Sequence, residues 1–253
     1  TRLVSDWSSD VCSSDLMGDA AHRHPPSNGL GSNTSIQDAF NLSWKLAAVL
    51  KGQAGAALLD SYTEERAPIA KQIVTRANQS IGEFGPIFEA LGMTGGTDID
   101  KIQANMDARC DASPAAEAQR AAIRDAIAFK KYEFDAHGVE MNHRYASRAV
   151  VPDGTPAPDF ERDAELFYQP TTSPGARLPH AWLFDRDTGA QISTLDLCGQ
   201  GAFTVLTGIG GEAWCDAAQE VASRLGITVR CHVIGPRHPF VDHLGDWSRA
   251  SEV

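Results

Sequence analysis

Asp19, the pair Pro25-Pro26 and the run Gly29-Leu30-Gly31-Ser32-Asn33 stand close together near the start of the chain, and each offers a different chemistry. A carboxylate directly after Gly18 accepts hydrogen bonds from hydroxyl groups. Two consecutive prolines fix two φ angles and remove two backbone donors, which leaves a stiff segment able to lie along an aromatic ring. Gly29 and Gly31 let a ligand approach the backbone closely, and free amides at the amino end of a following helix favour negative charge. Alone, Asp19 reads more readily as the opening residue of a turn, or as the cap of a short helix through Ala20-Ala21. With the residues that follow, it points to a ligand with a polyhydroxylated chain, a flat ring and an edge that carries negative charge. A flavin has all three.

Other chemistries fit these residues less well. Phosphate binding would call for GxGxxG spacing or a P-loop lysine, and neither is present. Asp19, His22 and His24 are the residue types of a metal site. The two histidines alternate around Arg23 and run into two prolines, however, and no further Cys/His cluster completes a closed shell, so no metal is expected. Hydrogen bonding near the ligand is the role expected of His22 and His24, whereas His232, His238 and His243 are read as ordinary surface or core residues. Cys12, Cys110, Cys198, Cys215 and Cys231 form no CxxC and no ligand-like pairs, and are read as small core residues or bystanders.

The elements that must position these groups can be read from periodicity. Thr34-Ser35-Ile36-Gln37 has capping-box spacing and predicts a helix from about Ser35. Ile36, Phe40, Trp44 and Ala47 would form one buried face and Leu42, Leu46 and Val49 a second, with Gly52 supplying the left-handed end. A second helical stretch is expected over 56–83 through Leu58, Leu59, Tyr62, Ile69, Ile73 and Val74. Pro68 should kink or restart it, and Glu64, Glu65, Arg66 and Lys71 should form its solvated side. Breaks at 92–96 and 111–114 flank helical patterns over 98–109 and 115–131, and 139–151 reads as extended. The proline-rich run from Val151 to Asp159 is the expected domain boundary. Beyond it, 181–184 and 203–207 read as strands around a turn at Asp187-Thr188-Gly189. A helix over 212–225 with Trp214, Ala218, Val221 and Leu225 in register, ended by Gly226, leads to a strand over 227–233, a β-α-β unit.

The chain has 253 residues and a formal net charge of −11. Nucleic acid and anionic membrane are poor partners for so acidic a protein. No apolar run approaches a membrane span and no signal-peptide pattern opens the chain, so the cytoplasm is the expected compartment. Residues 1–16 are Ser-Ser-Asp-biased and resemble translated sequencing-adapter sequence; they are expected to be a non-native leader before Met17. The chain is expected to be a fragment at both ends.

The motifs Gly18-Asp19-Ala20-Ala21-His22-Arg23-His24-Pro25-Pro26, Gly29-Leu30-Gly31-Ser32-Asn33-Thr34 and Gln37-Asp38-Ala39-Phe40-Asn41-Leu42-Ser43-Trp44-Lys45-Leu46-Ala47 resemble the FAD-dependent aromatic hydroxylases, in their phenol and 2,4-dichlorophenol branch. The resemblance continues through Leu59-Asp60-Ser61-Tyr62, 65–70, 138–145 and 174–183, and covers roughly 17–250. It implies an α/β protein. Residues 17–150 would be the C-terminal, mostly helical part of a Rossmann-like FAD-binding domain, and 151–253 a truncated thioredoxin-like domain without redox cysteines that often serves subunit contacts, a homodimer among them.

The resemblance further implies that Asp19 holds the ribityl chain, that Pro25 and Pro26 line the isoalloxazine, and that the backbone of Gly29, Leu30, Gly31, Ser32 and Asn33 meets the pyrimidine edge. NAD(P)H would be the reductant, O2 the oxidant and a small phenol the substrate, hydroxylated through a C4a-hydroperoxyflavin. The GxGxxG segment that holds the ADP half of FAD, and the substrate domain, are absent from the sequence, so the chain alone is expected to be inactive. The competing reading is a non-catalytic thioredoxin-like dimerisation or interaction module.

Overall fold

A computed structural model describes residues 16–94, 96 and 98–251. The leader expected over 1–16 lies outside these residues, apart from Leu16. A short 3-10 turn, Gly18–Ala20, leads through the prolines into a second, Ser27–Gly29, and then directly into helix α1, Gly31–Leu50.

Helix α1 begins before the expected capping box. Thr34 lies inside it and donates from Oγ1 to the Leu30 carbonyl (2.7 Å), while Gln37 accepts from Arg66. No side chain caps the amino end at Leu30. At the other end Gly52 takes φ +69°, as expected of a left-handed terminator.

The buried face of α1 is also a correction. It consists of Thr34, Asp38, Asn41, Leu42 and Lys45, whereas Ile36 and Phe40 are 66% and 76% exposed. The polar stripe turns inward because helix α2, Asp60–Gly82, meets it with charges of opposite sign. Glu65 and Arg66, expected in solvent, are therefore buried. Pro68 neither ends nor divides α2, which runs through it unbroken.

Short helices follow: α3 (Gly85–Ala90), α4 (Ile99–Ala108), α5 (Pro114–Phe129), α6 (Lys131–Phe134) and α7 (His137–Met141). Asp98 caps α4 and Ser113 caps α5, each accepting from a backbone amide three residues on. The extended segment expected from Val139 instead starts inside α7 and continues as irregular chain, tied down by an antiparallel bridge between Arg144 and Ala176. Leu30, Ile69, Ile73, Ala136 and Val139 form the apolar core of this region, with Tyr145 packed against it.

A second core, Leu183, Leu197 and Ile234, lies among the strands. Strand β1 (Trp182–Asp185) pairs antiparallel with β2 (Gln191–Ser193) and with β5 (Phe240–Val241). Strands β3 (Phe203–Thr207) and β4 (Val229–Val233) pair in parallel around helix α8 (Glu212–Leu225), the β-α-β unit expected. Gly226 ends α8 at φ +63°. The expected stripe on α8 holds only at its centre, because Trp214 and Leu225 at its ends are exposed.

Helix α9 (Asp246–Ser251) closes the described chain. Cys215 of α8 and Cys231 of β4 are joined as a disulfide, which corrects their reading as small core residues or bystanders: the crossover places the helix directly over the strand. The two regions touch where Trp44 meets Phe203 edge-on and Gln53 donates to the Gly226 carbonyl. Among the described residues no helix is long and apolar enough to cross a membrane.

Candidate functional site

Gly18 is buried at φ +58°, and a Cβ there would lie 3.0 Å from the Ser35 hydroxyl. Only glycine suits both the backbone and the space. The turn that begins here lies across the first turns of α1, and two helices hold it. Asp38 of α1 accepts the Gly18 amide at 3.1 Å and the His22 Nε2 at 2.7 Å on the same oxygen, Oδ2. Tyr62 of α2 donates to the Leu16 carbonyl at 3.1 Å. Burial, with Asp38 nearby, pushes the Tyr62 phenol up to about 12, so it stays a donor at ordinary pH.

With its backbone fixed in this way, Asp19 is exposed, and no partner engages its carboxylate among the described residues. Pro25 is half-buried and Pro26 exposed. Leu30 is buried in the core and its carbonyl accepts from the Thr34 amide and hydroxyl; Gly31 is half-buried, and Gly29, Ser32 and Asn33 are exposed. Asn28 takes φ +65°, held by donation from Nδ2 to the Tyr132 carbonyl at 2.8 Å. The structure thus brings the predicted residues other than Leu30 to the surface around the amino end of α1, with Leu30 in the core beneath. His24 lies against Gly31, where a Cβ would come within 3.2 Å of the imidazole. His22 and His24 stack at 6.3 Å between ring centroids.

Among the described residues, three buried polar atoms around this surface lack partners: His22 Nδ1, His24 Nε2 and Asn28 Oδ1. Buried polar groups are normally satisfied, so atoms left over at a turn suggest a ligand that completes them. Together with the free carboxylate of Asp19 and the uncapped end of α1, they form a donor and acceptor set that suits a hydroxylated, flat, partly anionic molecule. The residues present fit a flavin.

Sequence reasoning missed the charged layer beneath this surface. Arg66 donates from Nε to Asp38 Oδ1 at 2.6 Å, from one terminal nitrogen to the Tyr145 hydroxyl at 3.0 Å, and from the other to Gln37 and the Thr34 carbonyl. Burial works against its charge, but Tyr145 and Asp38 outweigh it and its pKa rises. Two turns beyond Asp38 on α1, the fully buried Lys45 meets Glu65 at 2.7 Å, and Glu65 also accepts from Asn41 and Ser147. Burial lowers the Lys45 pKa, opposed by Glu65. The trace this charged layer leaves in the sequence is the recurrence of Asp38, Asn41 and Lys45 at helical spacing on the face opposite Ile36 and Phe40, a stripe that by itself reads as solvent-facing.

A solvent-open hollow of about 660 Å³ is lined by Tyr145 together with Glu64, Ser147, Arg148 and Asp153. Arg148 is spent there on Asp60 and Glu64.

Residues 2–77 match an FAD binding domain and residues 171–250 an aromatic-ring hydroxylase C-terminal domain. The chain belongs to the FAD-dependent aromatic-ring hydroxylases. It is 55% identical to a 2,4-dichlorophenol 6-monooxygenase of Cupriavidus pinatubonensis over 93% of its own length and 39% of that enzyme's. It is 53% identical to a phenol 2-monooxygenase of a Pseudomonas species, with the same shares covered. Among solved structures, the flavin-dependent monooxygenase PieE in complex with FAD and substrate superposes with a TM-score of 0.87 at 46% identity, over 94% of this chain and 41% of that one. This member of the hydroxylases therefore spans about two-fifths of the length of the relatives it matches.

Proposed function

We propose that this chain supplies the flavin-cradling turn and the C-terminal domain of a monooxygenase that hydroxylates a small phenol, with NAD(P)H as reductant and O2 as oxidant. The observation that carries the reading is the turn itself: Asp19 is exposed and, among the described residues, unpaired beside the amino end of α1, on a backbone held by Asp38 and Tyr62. FAD, when bound, supplies redox chemistry toward O2 that no side chain offers.

In this reading Asp19 accepts from the ribityl hydroxyls, and Pro25 and Pro26 wall the ring. The backbone of Gly29, Leu30, Gly31, Ser32 and Asn33 meets the pyrimidine edge. The end of α1 would favour a reduced, anionic ring by about 1 kcal/mol where partly buried. His22 Nδ1, His24 Nε2 and Asn28 Oδ1 give the bound molecule further polar partners. The second domain follows a thioredoxin-like plan, with β3-α8-β4 as its parallel unit, and its role is packing and subunit contact. On its own the chain is expected not to turn over phenol.

The test is FAD binding by the purified chain, followed through flavin fluorescence. Hydrogen bonds to a charged group contribute about 1.5–3 kcal/mol, so Asp19→Ala should weaken binding about tenfold or more. Equal affinity in the variant would remove Asp19 from the site.

A further inference from the structure

The turn that presents Asp19 closes its own backbone bonds, with the Ala21 and His22 amides both donating to the Gly18 carbonyl, and it is also hung on the interior of the molecule through one buried carboxylate. Asp38 is 1% exposed. Its Oδ2 accepts the Gly18 amide and His22, and its Oδ1 accepts Arg66, so both oxygens are committed. A carboxylate on the inner face of a helix is costly unless paired and hydrogen-bonded, and here Arg66 pairs it while the turn supplies the remaining donors.

We propose that Asp38, seated by Arg66, is the positioning residue of the turn, setting the direction in which Asp19 is presented without itself touching the ligand. This rests on the flavin reading above. The peptide joining Gly18 to Asp19 is planar, so the Gly18 amide is only two soft dihedrals away from it. With Gly18 at φ +58° and Ser35 closing the space beside it, fixing that amide fixes where Asp19 projects. His22, bound to the same oxygen, holds the far end of the turn. Arg66 reaches on to Tyr145, so the seat of Asp38 is shared by α1, α2 and the chain after α7.

A merely structural Asp38, present only to neutralise Arg66, would affect global stability and nothing local. Amide hydrogen exchange on the purified chain separates the two roles. Asp38→Asn, and separately His22→Ala, should speed exchange in the peptide covering 16–24 about tenfold, the loss of one such hydrogen bond, while β3, β4 and α8 keep wild-type protection. His22→Ala removes only one contact of the clamp and decides the matter alone if Asp38→Asn does not fold. Unchanged exchange over 16–24 in the folded variants, even with a lowered melting temperature, would overturn the proposal.

With FAD, adding Asp38→Asn to Asp19→Ala should weaken binding no further than Asp19→Ala alone, because Asp38 acts through Asp19. Independent, additive losses would also overturn it. If the wild-type chain binds no FAD but the variants still loosen 16–24, the clamp is supported and the flavin reading fails.

Discussion

His143 donates from Nε2 to the Val139 carbonyl at 2.9 Å, and burial, with Arg66 nearby, lowers its pKa to about 4. The unfolded chain would protonate it near 6.5 and the folded chain only near 4. Between these values the unfolded state binds more protons. The contribution of His143 is therefore intact above pH 6.5 and lost as the pH falls toward 4, at most about 3 kcal/mol. Urea unfolding of wild type and His143→Gln at pH 7 and pH 4.5 should show the smaller loss in the variant. Lys45 makes a sharper case. Lys45→Met leaves Glu65 buried without its cation, and should cost about 3–5 kcal/mol in the same assay. Neither role was legible from the sequence, where Glu65 and Arg66 read as solvated charges like Glu64 beside them. Residue type cannot separate a charge facing water from one facing a buried charge of opposite sign. Only the pairing of α1 with α2 does so. The ligand-facing groups were legible, because glycine, proline and a following helix each constrain the backbone locally, whatever packs behind them.

At the scale of elements, the antiparallel bridge between the chain after α7 and the segment around Gly175 holds Tyr145 under Arg66. Gly175 stands at φ +82°, and a Cβ there would lie 2.0 Å from the Tyr145 carbonyl oxygen. Gly175→Ala should therefore part the bridge and destabilise the chain by about 3 kcal/mol, read as a lower thermal midpoint. The β-α-β unit was readable because its period changes cleanly from two to 3.6 and back, with Gly226 as punctuation. The inner face of α1 was not, since apolar periodicity marks the buried side only when the partner is apolar. The start of α1 was misplaced for a related reason: Thr34 has the composition of a cap, yet its hydroxyl bonds backward to Leu30 from within the helix.

Across the whole molecule, the disulfide fastens α8 to β4 with a sequence separation of 16. Closing a loop of that size restricts the unfolded chain, and Cys215→Ser should lower stability by about 3 kcal/mol in denaturant titrations. A reductant should lower the wild type to the variant's level and leave the variant unchanged. Helix α1 has a different consequence. Its amino end carries the turn of Gly18 and Asp19, and toward its carboxyl end Trp44 meets Phe203 of the strand region. At about 1.5 Å per residue it is a strut, and its length and phase set the spacing between those two contacts. Deleting one residue between Asp38 and Trp44 would rotate the indole by about 100°, away from Phe203. Inserting a seven-residue segment would nearly restore the phase while moving the contact about 10 Å along the axis. Insertions and deletions in this helix should therefore be resisted more strongly than substitutions on its exposed side.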